Sequence, residues 1–299
     1  MNFKFLVISI FHKNTNLNVL AYKNIIVPVL EEAFDVREAE NLFKNTLEDY
    51  FNKRFLDLRS MVLNDEEIEE LNYIFEKITN HYPIQYIFNK SYFYDLEFYV
   101  DENVLIPRPE TEELVHWILT SHTASNVSLL DVGTGSGCIP ITIKHKQPTW
   151  HATAIDVSDK ALEVALKNAK QHHANIHLLN IDILDADSVQ KSLNQYDIIV
   201  SNPPYIPYCE QSKMSISTVL HEPDIALFVQ DETPLLFYER IAIVATQHLK
   251  ANGMLYFELN EFNAVEVQYL LEKIGFSNVE IRKDLSDKNR MMRAQFISK

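Results

Sequence analysis

The spacing of apolar positions changes along the chain, and the change divides the chain into parts. Up to about residue 82 there is no glycine, and apolar residues recur three or four positions apart, as in helices that bury one face. After residue 110, short apolar runs alternate with helical stretches, which is typical of parallel strands joined by crossover helices. The pattern predicts a small helical domain over residues 1–82 and an α/β domain over residues 111–299.

Three helices are predicted in the first part. The apolar face of the first helix consists of Ile25, Ile26, Val29, Leu30 and Phe34. Pro28 predicts a kink in this helix. The second helix should begin near Asp35 and the third at Asn64, a favourable N-cap that acidic residues follow. Because a catalytic domain rarely needs such a bundle for solubility, we expect this part to recognise a substrate.

The segment between the two parts has a different period. Over residues 83–110, aromatic and β-branched side chains alternate with polar ones around turn residues. This period of two predicts a β-hairpin that links the helical domain to the α/β domain.

The last part is predicted to form one sheet. Strands are expected near residues 127, 152, 176, 196 and 254, with helices between them. Two final strands, Val279–Lys283 and Ala294–Ile297, are separated by too few residues for a crossover helix and should pair antiparallel at the sheet edge. The predicted fold class is α/β, with a doubly wound, Rossmann-like sheet.

Three of the five glycines fall in one loop directly after the first predicted strand of this sheet. Glycine adopts positive φ readily and lets a ligand approach the backbone. A dinucleotide-binding loop would have another glycine where Cys138 stands, and a phosphate-binding loop would continue with Lys and Ser or Thr. Neither pattern is present. The loop is the kind expected to hold S-adenosylmethionine, through Gly133, Thr134, Gly135, Ser136 and Gly137.

Acidic residues follow the next two predicted strands. Asp156 ends the strand near residue 152, where a carboxylate can accept hydrogen bonds from both hydroxyls of a ribose. Its alternative role is to cap the following helix. Asp182 follows the third strand and could meet an adenine amino group while Ile183 packs on the ring. The alternative for Asp182 is an ordinary turn.

A turn with two prolines follows the strand near residue 196, where Asn202 precedes Pro203 and Pro204 and Tyr205 comes next. The prolines lack backbone N–H groups and fix φ, so the turn is rigid and exposes carbonyl oxygens. The Asn202 side-chain oxygen and the Pro203 carbonyl could each accept one N–H of a planar amide or amino group. Tyr205 would then supply an aromatic face for that group. In the alternative, Asn202 and Tyr205 only cap the turn.

Composition excludes some classes of function. The 299 residues carry a formal net charge of −15, whereas a broad nucleic-acid surface needs clustered Lys and Arg. The only cysteines, Cys138 and Cys209, lack metal-ligand spacing, and no metal site is predicted. The apolar run over residues 5–11 is too short to span a bilayer and has no signal-peptide features. We expect a cytoplasmic monomer without membrane association.

Several motifs occur in an order that resembles the HemK/PrmC family. They are Pro83–Ile87, Leu105–Glu112, Asp131–Gly137, Asn202–Ile206, and Glu222–Pro223 followed by Ala226–Leu227. The resemblance covers roughly residues 20–299 and implies an S-adenosylmethionine-dependent methyltransferase. Members methylate the side-chain nitrogen N5 of the Gln in the Gly-Gly-Gln motif of peptide chain release factors.

The resemblance also implies roles for individual residues. Gly133–Gly137, Asp156, Asp182 and Ile183 would hold the cofactor, with Asn202 beside it. The glutamine would be held by Asn202, Pro203, Pro204 and Tyr205, of which Asn202, Pro203 and Tyr205 would act in catalysis.

The chain departs from the family at three places. Many relatives have an aromatic residue where Ile183 stands, so stacking on adenine should be weaker here. The family has a glycine in the stretch that corresponds to residues 228–234, whose contacts are therefore not carried over, and residues 1–19 match nothing. Two other functions stay open: a glutamine methyltransferase acting on a ribosomal protein, and an adenine-N6 methyltransferase that uses the same turn on a flipped base.

Overall fold

The computed structural model describes residues 17–297, which form two compact units. The first unit comprises the described residues up to Asn89 together with Ile216–His221, and the second comprises Lys90–Ser215 and the residues from Glu222 onward. The segment Ile216–His221 thus belongs to the first unit, although its neighbours along the chain belong to the second. The apolar run at residues 5–11 and most of the unmatched residues 1–19 lie outside the described part.

Helices dominate the first unit. Its elements up to Asn89 are β1 (Leu17–Asn18), α1 (Val19–Leu30), α2 (Val36–Phe51), α3 (Phe55–Leu58), β2 (Val62–Leu63), α4 (Asp65–Thr79) and α5 (Ile84–Ile87). The side chains of Asn18, Asp35 and Asn64 each accept a backbone N–H at the start of the three long helices. The helix predicted around Pro28 begins earlier than its first predicted apolar residue and ends before Phe34.

An aromatic cluster forms the centre of this unit. Tyr22, Phe43 and Phe75 come from α1, α2 and α4 and are fully buried. The rings of Phe43 and Phe75 stack with their centroids 5.5 Å apart, and Ile26 and Leu47 pack in the same cluster. Helical spacing therefore directs one apolar face of each long helix to a common core.

The second unit contains most of the remaining elements. In chain order the elements after α5 are β3 (Ser91–Phe93), β4 (Leu96–Phe98), α6 (Pro109–Ser121), β5 (Ser128–Val132), α7 (Cys138–Lys146), β6 (His151–Asp156), α8 (Asp159–Gln171), β7 (Ile176–Asn180), α9 (Ala186–Ser192), β8 (Tyr196–Ser201), β9 (Ile206–Pro207), α10 (Ile216–His221, in the first unit), α11 (Asp224–Leu227), β10 (Phe228–Val229), α12 (Leu236–His248), β11 (Leu249–Glu258), α13 (Ala264–Ile274), β12 (Phe276–Lys283) and β13 (Asn289–Phe296).

Seven of these strands form one sheet, in the order β12-β13-β11-β8-β5-β6-β7. The five strands from β11 to β7 pair in parallel, and β13 pairs antiparallel with both of its neighbours. This topology confirms the predicted Rossmann-like sheet with antiparallel C-terminal strands. Both final strands begin earlier than predicted, at Phe276 and Asn289, because strands near a sheet edge can carry polar side chains on a solvated face.

Helices cover the sheet on both faces. Apolar side chains of α6, α7 and α8 pack with one face of the central strands, and those of α12 and α13 pack with the other. The chain passes from β5 to β6 on one side, while β8 pairs on the other side of β5. In open α/β sheets, ligands bind at this point of reversal, beyond the carboxyl ends of the strands.

Residues 17–297 contain neither a membrane span nor a metal cluster. No helix in this range combines the length and the apolar character that a bilayer crossing requires. No group of three or more His, Cys, Asp or Glu side chains in the same range could hold a metal ion. Cys138 is buried, Cys209 is exposed, and both are free thiols.

Candidate active site

A cavity of about 240 Å³ lies at the carboxyl ends of β5, β6 and β8. The predicted site residues that line it are Gly133, Thr134, Gly135, Ser136, Asp156, Asp182, Ile183, Asn202, Pro203 and Pro204. Gly137 and Tyr205 are absent from its lining within the described structure. The fold therefore gathers residues from four separate segments around one space.

The glycine loop after β5 is shaped by positive φ angles. Gly133 has φ +73° and Gly135 has φ +52°, and a Cβ added at either position would meet nothing within 4 Å. The N–H groups of Gly133 and Thr134 both donate to the Ile155 carbonyl, at 2.9 and 3.0 Å. These two N–H groups are therefore engaged within the protein, and the loop offers a ligand open space beside bare backbone.

Gly137 has a different role from the other two glycines of the loop. It is the N-cap of α7, with φ +79°. A Cβ at this position would lie 2.9 Å from Cδ1 of Ile141 and 3.3 Å from Cβ of Ala165. The missing side chain lets the loop pack closely on α7 and α8, and Gly137 supports the cavity without lining it.

Asp156 joins the end of β6 to the glycine loop. Its Oδ2 accepts the N–H of Gly135 at 2.9 Å, and its Oδ1 accepts the N–H of Ser158 at 3.0 Å. Burial raises the pKa of Asp156, although these backbone hydrogen bonds act in the opposite direction. Each carboxyl oxygen can accept a further hydrogen bond. Asp156 can therefore hold the loop and bind a ligand hydroxyl at the same time.

Asp182 and Ile183 lie after β7, where they border the cavity. Oδ1 of Asp182 accepts the N–H of Leu184 at 2.8 Å, so the turn that was the alternative role of Asp182 is present. Ile183 is buried, and its carbonyl accepts a hydrogen bond from Nε of Arg240 at 2.7 Å. Both residues are thus held in place by the protein while they line the cavity.

A buried carboxyl precedes the glycine loop. Asp131 is fully buried, and within the described residues neither of its side-chain oxygens has a hydrogen-bond partner of good geometry. Burial raises the pKa of Asp131 to about 7; the nearby Thr134 hydroxyl moderates this rise, and the charge of Asp156 adds to it. Buried acceptors without partners are costly, and Asp131 lies next to the cavity residues Val132 and Gly133 without lining the cavity itself.

The turn at Asn202 forms a second part of the cavity wall, together with Pro203 and Pro204. Nδ2 of Asn202 donates to Oγ1 of Thr111 at 3.3 Å. This contact leaves the side-chain oxygen of Asn202 available as an acceptor. Thr111 lies in the first turn of α6 and also borders the cavity.

Tyr205 packs with the apolar cluster on the α12 and α13 side of the sheet. Its hydroxyl donates to Oε1 of Glu258 at 3.1 Å, and its carbonyl accepts Nδ2 of Asn260 at 3.3 Å. Burial, and then the charge of Glu258, raise the pKa of the Tyr205 hydroxyl well above its usual range. The ring therefore anchors the turn, rather than forming part of the cavity surface.

Two polar residues were not predicted from the sequence: Thr111, which lines the cavity, and Glu258, which lies behind it. Glu258 ends β11, is buried, and accepts the hydroxyl of Thr111 at 2.5 Å. Its signal in the sequence is a lone carboxylate at the end of an apolar run, from Leu255 to Leu259. Thr111 lies in the motif Leu105–Glu112, and no local pattern marks it as a residue of the site.

An ion pair joins two further segments that border the cavity. Nη2 of Arg108 donates to Oε1 of Glu222 at 2.5 Å, and the N–H of Ile106 donates to Oε2 of the same carboxylate at 3.1 Å. The Glu222 side chain is 2% exposed, so solvent screens the pair weakly. Arg108 and Pro223 both line the cavity, and the pair fixes the distance between their segments.

Comparison with protein families and with curated sequences gives consistent results. The family model of the methyltransferase small domain matches residues 111–266, about half of the chain. A protein of Flavobacterium psychrophilum named release factor glutamine methyltransferase is 39% identical over 282 residues, which cover 92% of this chain and 98% of that protein. Proteins of the same name from Lactococcus lactis and Streptococcus pneumoniae are 38% and 41% identical over 88% and 79% of this chain, and over 94% and 82% of their own lengths.

Solved structures share the fold. A methyltransferase from Pyrococcus furiosus aligns with a TM-score of 0.52 at 18% identity, over 69% of this chain and 91% of that chain. The human methyltransferase 10 domain containing protein aligns with a TM-score of 0.51 at 18% identity, over 68% of this chain and 89% of that one. At such identities the likeness concerns the fold alone.

Proposed function

Because the chain belongs to the family of release factor glutamine methyltransferases, HemK/PrmC, we propose that it methylates the side-chain nitrogen N5 of a glutamine in peptide chain release factors. The glutamine is that of the Gly-Gly-Gln motif, and S-adenosylmethionine is the methyl donor. The observation that carries the proposal is a single cavity lined both by the glycine loop and by Asn202–Pro204. The methylation tunes translation termination.

The residues around the glycine loop fit S-adenosylmethionine. The buried oxygens of Asp131, which have no protein partner of good geometry, suit a cationic group. Asp156 suits the ribose hydroxyls, and Asp182 with Ile183 suits the adenine. The open space at Gly133 and Gly135 admits a ligand close to the backbone. When bound, this cofactor supplies an electrophilic methyl group on a sulfonium centre.

The turn Asn202–Pro204 suits a side-chain carboxamide. The two N–H groups of a glutamine lie in one plane, and the Asn202 side-chain oxygen and the Pro203 carbonyl can accept one each. The rigid prolines hold these acceptors in fixed positions. Tyr205 acts by holding the turn, through its hydrogen bond to Glu258.

Positioning supplies most of the rate. The lone pair of an amide nitrogen is delocalised, and no ordinary side chain removes its proton at neutral pH. Correct alignment of two reacting groups is worth ~7–11 kcal/mol. A substrate without the two N–H groups would leave a buried acceptor unpaired, at a cost of ~1–3 kcal/mol, which gives selectivity. We assign no general base, because the nitrogen becomes acidic once it carries the methyl group and can then lose its proton.

The parts of the chain have separate roles in this proposal. Residues 1–82 recognise the release factor, residues 83–110 form a linker, and residues 111–299 catalyse the transfer. The net charge of −15 disfavours direct binding to nucleic acid. The protein acts as a monomer in the cytoplasm, where release factors work.

Methyl transfer to a purified release factor tests this function. The protein and S-adenosylmethionine are incubated with the release factor, and its peptides are examined by mass spectrometry. We expect one methyl group on the Gln of the Gly-Gly-Gln motif and none on a release factor in which Asn replaces that Gln. Methylation of ribosomal proteins or of adenine in nucleic acid, with none on release factors, would overturn the proposal in favour of one of the other two functions.

A further inference from the structure

We propose that Thr111 and Glu258 are positioning residues that set the orientation of the Asn202 side-chain amide and direct its oxygen, rather than its nitrogen, toward the substrate. The inference rests on the proposed function and extends it, because it names the groups that make Asn202 an acceptor. Neither Thr111 nor Glu258 is required to touch the glutamine.

Three side chains form a relay of hydrogen bonds at the wall of the cavity. Nδ2 of Asn202 donates to Oγ1 of Thr111 at 3.3 Å, and Oγ1 of Thr111 donates to Oε2 of Glu258 at 2.5 Å. Thr111 is 3% exposed and Glu258 is 2% exposed. Because both side chains are buried, bulk water competes weakly for these hydrogen bonds, although Thr111 also borders the cavity.

The carboxylate of Glu258 determines the direction of this relay. A threonine hydroxyl has one proton, and an ionised carboxylate only accepts. The other oxygen of Glu258 is occupied by the hydroxyl of Tyr205, at 3.1 Å. The Thr111 proton is therefore committed to Glu258, and the Thr111 oxygen must accept from its neighbour. Of the two ends of the Asn202 side-chain amide, the NH2 group is the one that can donate to this oxygen.

Both oxygens of Glu258 accept a hydroxyl, one from Thr111 and the other from Tyr205. Burial raises the pKa of Glu258, and the hydrogen bonds from Thr111 and Tyr205 and the positive charge of Arg290 oppose this rise. Arg290 is itself fixed, since its Nη1 donates to the carbonyl of Leu259 at 3.1 Å. The relay thus begins at a carboxyl group whose two oxygens already accept a proton donor each.

A free amide has two orientations of nearly equal shape, which differ only by exchange of oxygen and nitrogen. Without the relay, Asn202 could present either atom to the substrate. The oxygen accepts from the NH2 group of a glutamine, whereas the nitrogen would instead donate to the carboxylate of a glutamate. The relay therefore selects a substrate that carries a carboxamide. It places the nitrogen of the substrate glutamine toward the Asn202 side-chain oxygen and the Pro203 carbonyl.

The test compares Thr111→Val, which removes the hydroxyl and keeps the shape, with Thr111→Ser, which keeps the hydroxyl. Single-turnover methylation of a release factor is measured, together with inhibition by the same release factor carrying Glu in place of the substrate Gln. For Thr111→Val we expect a rate about tenfold lower, the loss of roughly one oriented hydrogen bond. We also expect the Glu form of the release factor to bind Thr111→Val more tightly, relative to the Gln form, than it binds the wild-type protein. In Thr111→Ser, both the methylation rate and the preference for the Gln form should recover.

Glu258→Gln is a second test, because it removes the charge while the side chain keeps its size. It should shift the preference between the Gln and Glu forms in the same direction as Thr111→Val. Cofactor affinity by calorimetry and the midpoint of thermal unfolding establish that each variant is folded, and Glu258→Gln carries the test if Thr111→Val does not fold.

A loss of rate in these variants without a change in preference between Gln and Glu would show a merely structural role and overturn the inference. Equal behaviour of the Val and Ser variants would overturn it as well. In both cases the wild-type protein still methylates release factors and the proposed function stands. If the wild-type protein methylates no release factor, the proposed function fails and the inference fails with it.

Discussion

The two walls of the cavity are held by different means. On the cofactor side, the loop Gly133–Gly137 keeps its shape through positive φ angles and bonds to the adjacent strand end. On the acceptor side, Asn202 is held by Thr111 and Glu258, which lie far from it in sequence. A change in the loop should therefore act through backbone strain and space, whereas a change in the acceptor wall should act through the orientation of polar atoms.

The difference also affects how the two walls can fail. Backbone geometry in a loop is local, and its disturbance falls off within a few residues. A buried relay passes a disturbance to every member, because each hydrogen bond sets the direction of the next. We therefore expect variants of the two walls to lose different properties. Variants of the acceptor wall should lose turnover, and variants of the loop should lose cofactor affinity or stability.

The largest effect is expected for Asn202→Ala. The variant lacks the side-chain oxygen that aligns the glutamine, and removal of one preorganised polar group at a reacting centre lowers turnover by about 100- to 1000-fold. Cofactor affinity should change much less. Single-turnover rates and calorimetric titration with S-adenosylmethionine measure the two quantities, and equal loss of both would show that the two walls are not separable.

Asp131→Asn should give the next largest effect, on stability and its dependence on pH. Burial raises the pKa of Asp131 to about 7, so the folded protein holds this proton over a range in which the unfolded chain, with a pKa of about 3.9, releases it. The stability that the bound proton contributes is present below about pH 4 and is lost as the pH rises to about 7.

Since asparagine does not ionise, the variant should gain stability relative to the parent as the pH rises over that range, by about 1.4 kcal/mol for each pH unit. Urea unfolding of both proteins without cofactor, at about pH 4 and about pH 8, measures the difference. A stability difference that is the same at both pH values would mean that folding does not raise the pKa of Asp131. Such a result would place Asp131 outside the contrast between the two walls. The loop Gly133–Gly137 would then be held by its backbone alone, without a contribution from the protonation of this buried side chain.

The same contrast explains which features could be predicted from sequence. The strand ends, the glycine loop, Asp156 and the Pro-Pro turn have local signals in composition and spacing, and the structure brings them to one cavity. The relay through Thr111 and Glu258 has no local signal, because its members meet only when α6, β8 and β11 come together. Apolar residues of α12 that line the cavity, such as Phe237, were missed for the same reason.

Two predicted residues show a further limit of sequence reasoning. Gly137 and Tyr205 belong to the predicted motifs, yet neither lines the cavity within the described structure. Gly137 is needed where α7 packs against α8, and Tyr205 is needed to hold the turn through Glu258. A motif specifies which residues occur together, but only the packing around each residue distinguishes contact with a ligand from support of the site.

A smaller effect is expected for Asp156→Ala, on cofactor affinity. The variant loses a carboxylate suited to the ribose and also the acceptor for the N–H of Gly135. We expect the dissociation constant of S-adenosylmethionine to rise about tenfold to thirtyfold, which corresponds to ~1.4–2 kcal/mol. Asp156→Asn keeps one acceptor oxygen and should lose less. Unchanged affinity in Asp156→Ala, measured by calorimetry, would contradict a role at the ribose.

The smallest effect separates two glycines of the same loop. Gly133→Ala and Gly137→Ala both place a side chain at positive φ, which costs ~1–2 kcal/mol in each. At Gly137 the new Cβ would also lie 2.9 Å from Ile141 and 3.3 Å from Ala165, whereas at Gly133 it would meet nothing within 4 Å. Urea unfolding should therefore show a further loss of about 1 kcal/mol in Gly137→Ala. Gly133→Ala should instead show the larger loss of cofactor affinity, because its methyl group enters the cavity. Equal stability of the two variants would mean that α7 can shift to admit the methyl group of Gly137→Ala.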